Sequence, residues 1–315
     1  MRVARAAHTA TTLRTGQVLV AGGFTERGGA HSAELYDAAA RRFVALPSMV
    51  TPRHSHTATL LPDGRVLIVG GYGDGGAVTR SAELFDPVRR TFTATGSLSA
   101  ARAGHVAVPL SDGTVLIAGG VGPGWSFLSS AERYDPATGR FLPTGAMTVA
   151  RESHVGVRLP NGQVLIVGGH HGRRADMTIH ASAELYDPSA GVFRRTGSMR
   201  TSRHKHDAVV LPDGTVLVTA GSDARDERGM YTSTEVYDPR TATFRAGPSM
   251  QRARHKHAGS SVVLPDGSVL VAGGAPQAER YDPQGRRFAL VTAAPSLAGL
   301  FSAVALLPDG SALIT

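Results

Sequence analysis

The chain has 315 residues, 42 % of them hydrophobic, and no run long and apolar enough to span a membrane. It contains no cysteine, which excludes disulfides, thiolate metal sites and a cysteine nucleophile. The net charge of +8 comes from 31 Arg and two Lys, and the Arg are spread along the chain without a basic run or aromatic-interleaved patch, so nucleic acid is not an expected partner.

The N-terminal segment Met1-Arg2-Val3-Ala4-Arg5 lacks the apolar stretch of a secretory leader. As it stands the chain is expected in the cytoplasm, or outside the cell if a leader was removed ahead of it. Self-similarity then organises the rest. The motif Arg-x-x-His recurs at Arg5/His8, Arg53/His56, Arg102/His105, Arg151/His154, Arg203/His206 and Arg254/His257, at spacings of 48, 49, 49, 52 and 51 residues. The repeats run 1–51, 52–100, 101–149, 150–201, 202–252 and 253–297, with part of a seventh at 298–315.

Repeat one encloses Ala6-Ala7 in its motif and carries Phe24 in its central loop. Repeat two shows the strand pattern most plainly. His56–Leu61 alternates as a strand A, and Pro62-Asp63-Gly64 is a tight turn whose Asp-Gly supplies positive φ. Val66–Val69 is a continuous apolar strand B, closed by Gly70-Gly71 where neighbouring chain leaves no room for a Cβ. Ala82–Asp86 is strand C, stopped by Pro87, and Phe92 lies on strand D. This repeat also holds His54 and Tyr72. Repeat three places Ala103-Gly104 in the motif and Trp125 with Phe127 in the loop. Repeat four has Glu152-Ser153, with His170, His171, Arg173, Arg174, Asp176 and His180 in its loop. Repeat five has His204-Lys205, with Asp223, Arg225, Asp226, Glu227, Arg228 and Tyr231. Its glycine doublet reads Ala220-Gly221. Repeat six has His255-Lys256, and two extra residues in its strand A suggest a bulge. Phe301–Leu307, Pro308-Asp309-Gly310 and Ser311–Thr315 read as strand A, turn and strand B of the seventh.

Four strands per roughly 50 residues, a glycine doublet, Tyr-Asp-Pro and a strand-D aromatic together resemble the kelch family. Phe at 43, 92, 141, 193, 244 and 288 replaces that family's usual Trp. The resemblance implies an all-β, kelch-type β-propeller of bacterial type, a single domain over 1–315, with six complete four-stranded blades and a partial seventh. Closure with six or with seven blades stays open. Seven is favoured, because repeat one already has its own strand A. A monomer is expected.

Repeats act as an internal control. Arg and His of the motif, and the strand-C Glu at 34, 83, 132, 184, 235 and 279, recur in every full copy, so they are read as framework ion pairs. Antiparallel neighbours put the D–A and B–C connections at one end of each blade, where the variable sequence collects. The resemblance places ligands at that same end, on the residues between Arg and His.

Two readings follow. In the first, the protein is a binding module for an anionic small molecule, an acidic glycan or an acidic peptide. Its ligand residues would be His54, Glu152, His204, Lys205, His255 and Lys256. The loop residues Tyr72, Trp125, His170, Arg173, Arg225 and Tyr231 join that set. The Lys and His would form a cationic arc that holds the anion by charge-assisted bonds, and Tyr72 and Trp125 would offer flat faces to a sugar or peptide side chain. In the second, it is an enzyme (a lyase, isomerase or hydrolase) using Glu152, Lys205, Lys256, His204 and His255 for catalysis. A divalent transition metal could then be held by His54, His204 and His255. The copper radical oxidases of similar fold need a Tyr–Cys cross-link, which a chain without Cys cannot form. A mutarotase-like activity, as in some bacterial kelch proteins, fits the resemblance.

Overall fold

The computed structural model describes residues 1–26, 28–291 and 300–315. The end of repeat six and residues 298–299 of the seventh lie outside the described residues. Two compact units divide the chain. The first holds Met1–Ala146, Ala305–Leu313 and Thr315, and the second holds Met147–Val304 and Ile314. Blades one to three belong to the first unit and blades four to six to the second. No helix among the described residues is long and apolar enough to cross a membrane.

Each full repeat folds as one antiparallel four-stranded sheet in the order A-B-C-D. In blade two the strands are Thr57–Leu60, Val66–Val69, Ala82–Asp86 and Thr91–Ala94. The registers are Thr57↔Val69, Val66↔Phe85 and Thr91↔Asp86. Strand B is wholly buried because both of its faces are covered. Val66 and Ile68 pack on Leu19, Ala21 and Leu35 of blade one. Leu67 and Val69 pack on Val115, Ile117 and Tyr134 of blade three. A strand pressed on both sides has no place for a polar alternation, which is why the run reads as unbroken Val, Leu and Ile. The second unit repeats the device: Leu165 and Val167 share a cluster with Val216 and Val218, and Leu217 shares one with Val269 and Val271.

The framework ion pairs form within each blade. Arg5–Glu34, Arg53–Glu83, Arg102–Glu132, Arg151–Glu184, Arg203–Glu235 and Arg254–Glu279 lie at 2.9, 2.7, 3.2, 3.1, 3.2 and 2.9 Å. Arg53 donates further to the Gly70 and Ser81 carbonyls, and Glu83 accepts from the Val50 and Thr51 amides. The buried charges are thus paired and hydrogen-bonded, as such charges must be. The glycine doublet has an equally local cause. A Cβ on Gly70 would stand 2.5 Å from the Arg102 carbonyl oxygen of the next blade, and Gly70 itself sits at φ +62.

Two features at the C-terminal side differ from expectation or refine it. The two extra residues of repeat six make a turn ahead of a short strand A (Ser261–Val263), with Gly259 at φ +74, and not a bulge within it. The turn is held by Asp207, whose buried carboxylate accepts from the Ser260 amide at 3.1 Å. Val304–Leu306 and Ala312–Ile314 form their own two-stranded sheet and complete none of the other six. Ala305 and Leu307 cover Val18 and Val20 of blade one. That is the strand-B face which, in blade two, blade one covers.

Candidate functional site

One backbone rule positions the first variable residue of the motif in blades one to five. The first residue between Arg and His pairs with the residue just after the glycine doublet: Ala6↔Phe24, His54↔Tyr72, Ala103↔Val121, Glu152↔His170 and His204↔Ser222. The second residue between them is left-handed, with φ of +53 at Ala7, Ser55, Ser153, Lys205 and Lys256 and +61 at Gly104. Its backbone joins successive blades. The Lys205 amide donates to the Ser153 carbonyl, Lys256 to Lys205, and Phe301 to Lys256, at 3.0, 2.9 and 2.9 Å. Side chains of the D–A turn are thereby held against the B–C loop of the same blade.

In the second unit this arrangement builds a chain of polar contacts. Glu152 Oε2 lies 3.3 Å from His170 Nε2. His170 Nδ1 lies 3.1 Å from His204 Nδ1. His204 Nε2 lies 3.2 Å from the Asp223 carbonyl oxygen and 3.3 Å from Asp226 Oδ1. Lys205 Nζ donates to Asp226 Oδ1 at 2.6 Å. The protons follow by accounting. A carbonyl only accepts, so His204 Nε2 carries hydrogen. Burial pushes His204 down to about 4, so it is neutral at pH 7 and its Nδ1 is bare. That bare nitrogen accepts from His170 Nδ1–H. Burial holds His170 down to about 3, so it too is neutral and its Nε2 is bare. Glu152 must therefore supply the hydrogen of the first contact. Burial raises the Glu152 carboxyl to about 7, against the opposing Ser153 hydrogen bond and the Lys205 charge, which agrees with a protonated acid at neutral pH. The Glu152 side chain remains 19 % exposed and so is reachable from outside.

Shifting the same protons one step along is uphill, because His204, held at about 4, binds a proton far less tightly than Glu152, raised to about 7. Moving Glu152's proton to His170 Nε2, and the His170 Nδ1 proton to His204, leaves a Glu152 carboxylate and an imidazolium at His204. That imidazolium faces Asp226, whose own pKa is lowered by the Lys205 hydrogen bond and charge in spite of partial burial. At rest the group therefore presents an acid at Glu152.

The structure removes most of the expected cationic arc. Lys205 is neutralised by Asp226, and burial keeps His204 and His255 below their ordinary pKa. Lys256 remains, with its Nζ 5.4 Å over the Phe301 ring and no carboxylate in contact among the described residues. His255 is fully buried beside it, with neither ring nitrogen hydrogen-bonded among the described residues. Arg225 is clamped by both oxygens of Asp223, and Tyr231 lies under framework Arg203, its ring centroid 5.5 Å away. Both belong to the loop's own architecture. Arg173 is exposed. In the first unit His54 stacks on Tyr72 at 5.2 Å, with Phe24 edge-on at 5.5 Å. Trp125 is 47 % exposed. Among the described residues no three His, Asp or Glu side chains are grouped to hold a metal, so the set His54, His204 and His255 is carried no further. Asp226 is the member of this contact chain that loop composition alone did not single out. The contact of Glu152 with His170 does have a sequence signal, because the paired positions stand eighteen residues apart in all five blades where the pairing occurs.

Residues 102–148 match the kelch motif model. No curated protein matches the chain. Among solved structures, a fungal alcohol oxidase of the AA5 family, in complex with copper, is similar over 85 % of this chain at 19 % identity and a TM-score of 0.68. The chain spans 58 % of that oxidase's length. The structure of YjhT is similar over 91 % of this chain and 97 % of its own, at 13 % identity and a TM-score of 0.69. At such identities the likeness speaks for the fold alone. With a kelch motif in its third blade and six four-stranded blades, the chain has a kelch-type β-propeller fold.

Proposed function

We propose that the Glu152–His170–His204–Asp226 relay is the acid–base centre of an enzyme acting on a small molecule with an anionic group. The carrying observation is the donor–acceptor accounting above, which supports Glu152 as a protonated acid, partly exposed and hydrogen-bonded to His170. Perturbed carboxyls in such settings are characteristic of catalytic groups. Lys256 is suited to fix the anionic group by a charge-assisted bond. The reaction class that fits is proton transfer at oxygen or at a carbon beside a carbonyl, as in isomerisation or mutarotation. A general acid gives its proton to the ligand and recovers one from it, so nothing else is consumed.

The test is anomer exchange in carboxylate-bearing sugars, followed by NMR. Saturable acceleration is expected, abolished in Glu152→Gln, with Lys256→Ala raising KM more than it lowers kcat. If no such sugar is accelerated, or Glu152→Gln keeps the full rate, the acid–base reading fails. A second reading, an anion-binding module, is favoured by Lys256 having no carboxylate in contact among the described residues. It predicts salt-sensitive binding that Lys256→Ala weakens and Glu152→Gln leaves unchanged.

A further inference from the structure

The strand-C Glu show how this fold buries an acid: each meets the Arg of its own blade at 2.7–3.2 Å. Asp207 departs from that plan. It is 4 % exposed, and among the described residues no Lys, Arg or His side chain forms an ion pair with it. Its oxygens accept instead from two neutral amides, Ala208 at 2.9 Å and Ser260 at 3.1 Å. The acid is also singular by position. The residue after the motif His is Thr9, Thr57, Val106, Val155 and Ala258 in the other full repeats.

Ser260 belongs to the turn that only repeat six inserts, closed by its amide on the His257 carbonyl at 2.9 Å. Lys256 stands at the start of that turn. Its carbonyl accepts from the Phe301 amide at 2.9 Å, and its Nζ lies over the Phe301 ring. The Gly259 carbonyl accepts from the Val304 amide at 3.2 Å, and the Ser260 hydroxyl donates to the Ser302 carbonyl at 2.5 Å. Through the Ser260 amide, Asp207 therefore holds both the backbone that carries Lys256 and the segment Phe301–Val304 packed beside it. All of these residues belong to the second unit.

We propose that Asp207 is a positioning residue for Lys256 and makes that site respond to pH: the acid form keeps the turn closed, and the carboxylate lets it open. A buried carboxylate without a cation has lost hydration that neutral amides replace only in part, so ionisation favours an opening that admits water. Burial accordingly raises Asp207 from 3.8 to about 6, against hydrogen bonds from Ser261, Gly259 and Ala208. A raised value means that the closed turn holds the proton more tightly than an open one. Closure is fully favoured below 3.8 and loses that advantage as pH rises through about 6. The titratable groups on its strand and on the facing turn do not oppose this. Burial holds His206 and His257 well below 6.5 and lowers His255, while Arg203 and Arg254 stay paired with Glu235 and Glu279. The consequence for an anion at Lys256 rests on the function proposed above, whereas the turn itself does not.

Hydrogen exchange on the whole chain tests the turn. Protection factors at Ser260, Phe301 and Val304, which correct for the intrinsic pH dependence, are expected to fall about tenfold between pH 5 and 8 and to level off above about 6. Lys205 and Lys256 are the two lysines of the chain, so amine labelling read by peptide mass spectrometry reports Lys256 against an internal reference. The Lys256 to Lys205 ratio should rise with the same pH step. In Asp207→Thr, which installs the residue that repeats one and two use, both steps should vanish. Protection that stays constant with pH in the wild type overturns the proposal, as does a step that persists in Asp207→Thr. A constant lysine ratio would mean that the turn does not position Lys256. A plain turn cap would lower protection in the variant by the same factor at every pH. Neither readout involves a substrate, so failure here is distinct from failure of the acid–base reading. With glucuronate as substrate, Asp207→Thr should raise KM more than it lowers kcat, and a loss in kcat alone would break the link to Lys256.

Discussion

Replacing Glu152 by Gln should make the protein more stable at alkaline pH, and the size of the effect follows from the relay. The folded state raises the Glu152 carboxyl from 4.5 to about 7. A raised pKa means the folded protein holds this proton more tightly than the unfolded chain does. Its stabilising contribution is complete below the unfolded value and is lost as pH rises through the folded one. Each pH unit between the two removes about 1.4 kcal/mol, so the whole window is worth about 3 kcal/mol. Glutamine imitates the protonated acid, donates to His170 Nε2 from its amide, and has nothing to ionise. The difference in unfolding free energy, variant minus wild type, should be near zero at pH 4.5 and rise to about 3 kcal/mol by pH 8. Urea denaturation at a series of pH values measures it. The lowered histidines titrate alike in both proteins and cancel in the difference. A difference curve that is flat with pH would mean that Glu152 is ionised in the folded state at pH 7. The proton accounting through His170 and His204 would then be wrong.

Two further predictions concern the framework. Arg102→Ala leaves Glu132 buried without its partner and should cost about 3–5 kcal/mol, whereas the double change Arg102→Met with Glu132→Leu should recover most of that loss. Denaturant midpoints decide it, and equal losses in the single and double variants would count against the pairing account. Gly70→Ala combines a left-handed φ with a Cβ pressed on the Arg102 carbonyl, and should cost clearly more than Gly75→Ala. Gly75 has a similar φ but open space, so only the conformational term of about 1–2 kcal/mol applies there. Melting temperatures compared side by side test the ordering.

The division of the chain into four-stranded blades was legible before any coordinates, because each blade faces the same packing problem and meets it with the same residues. Strand B must be apolar on both faces, and the strand-C Glu must answer its Arg. A demand repeated six times leaves a repeated trace. The internal comparison of repeats also singled out Glu152, His204, Lys205, His255 and Lys256 as departures from that trace. Their chemistry was not legible. Lys205 looked like half of a cationic arc, yet the folded loop of blade five brings Asp226 onto it. His204 looked like an anion or metal ligand, yet burial strips its charge and turns it toward His170. Charge state and hydrogen-bond direction depend on which loop atoms come within about 3 Å and on how much water is excluded, and neither is encoded in residue type or spacing. The sequence alone therefore determined the blades and the candidates, and only the tertiary structure decided which candidates touch and which of them carry the protons.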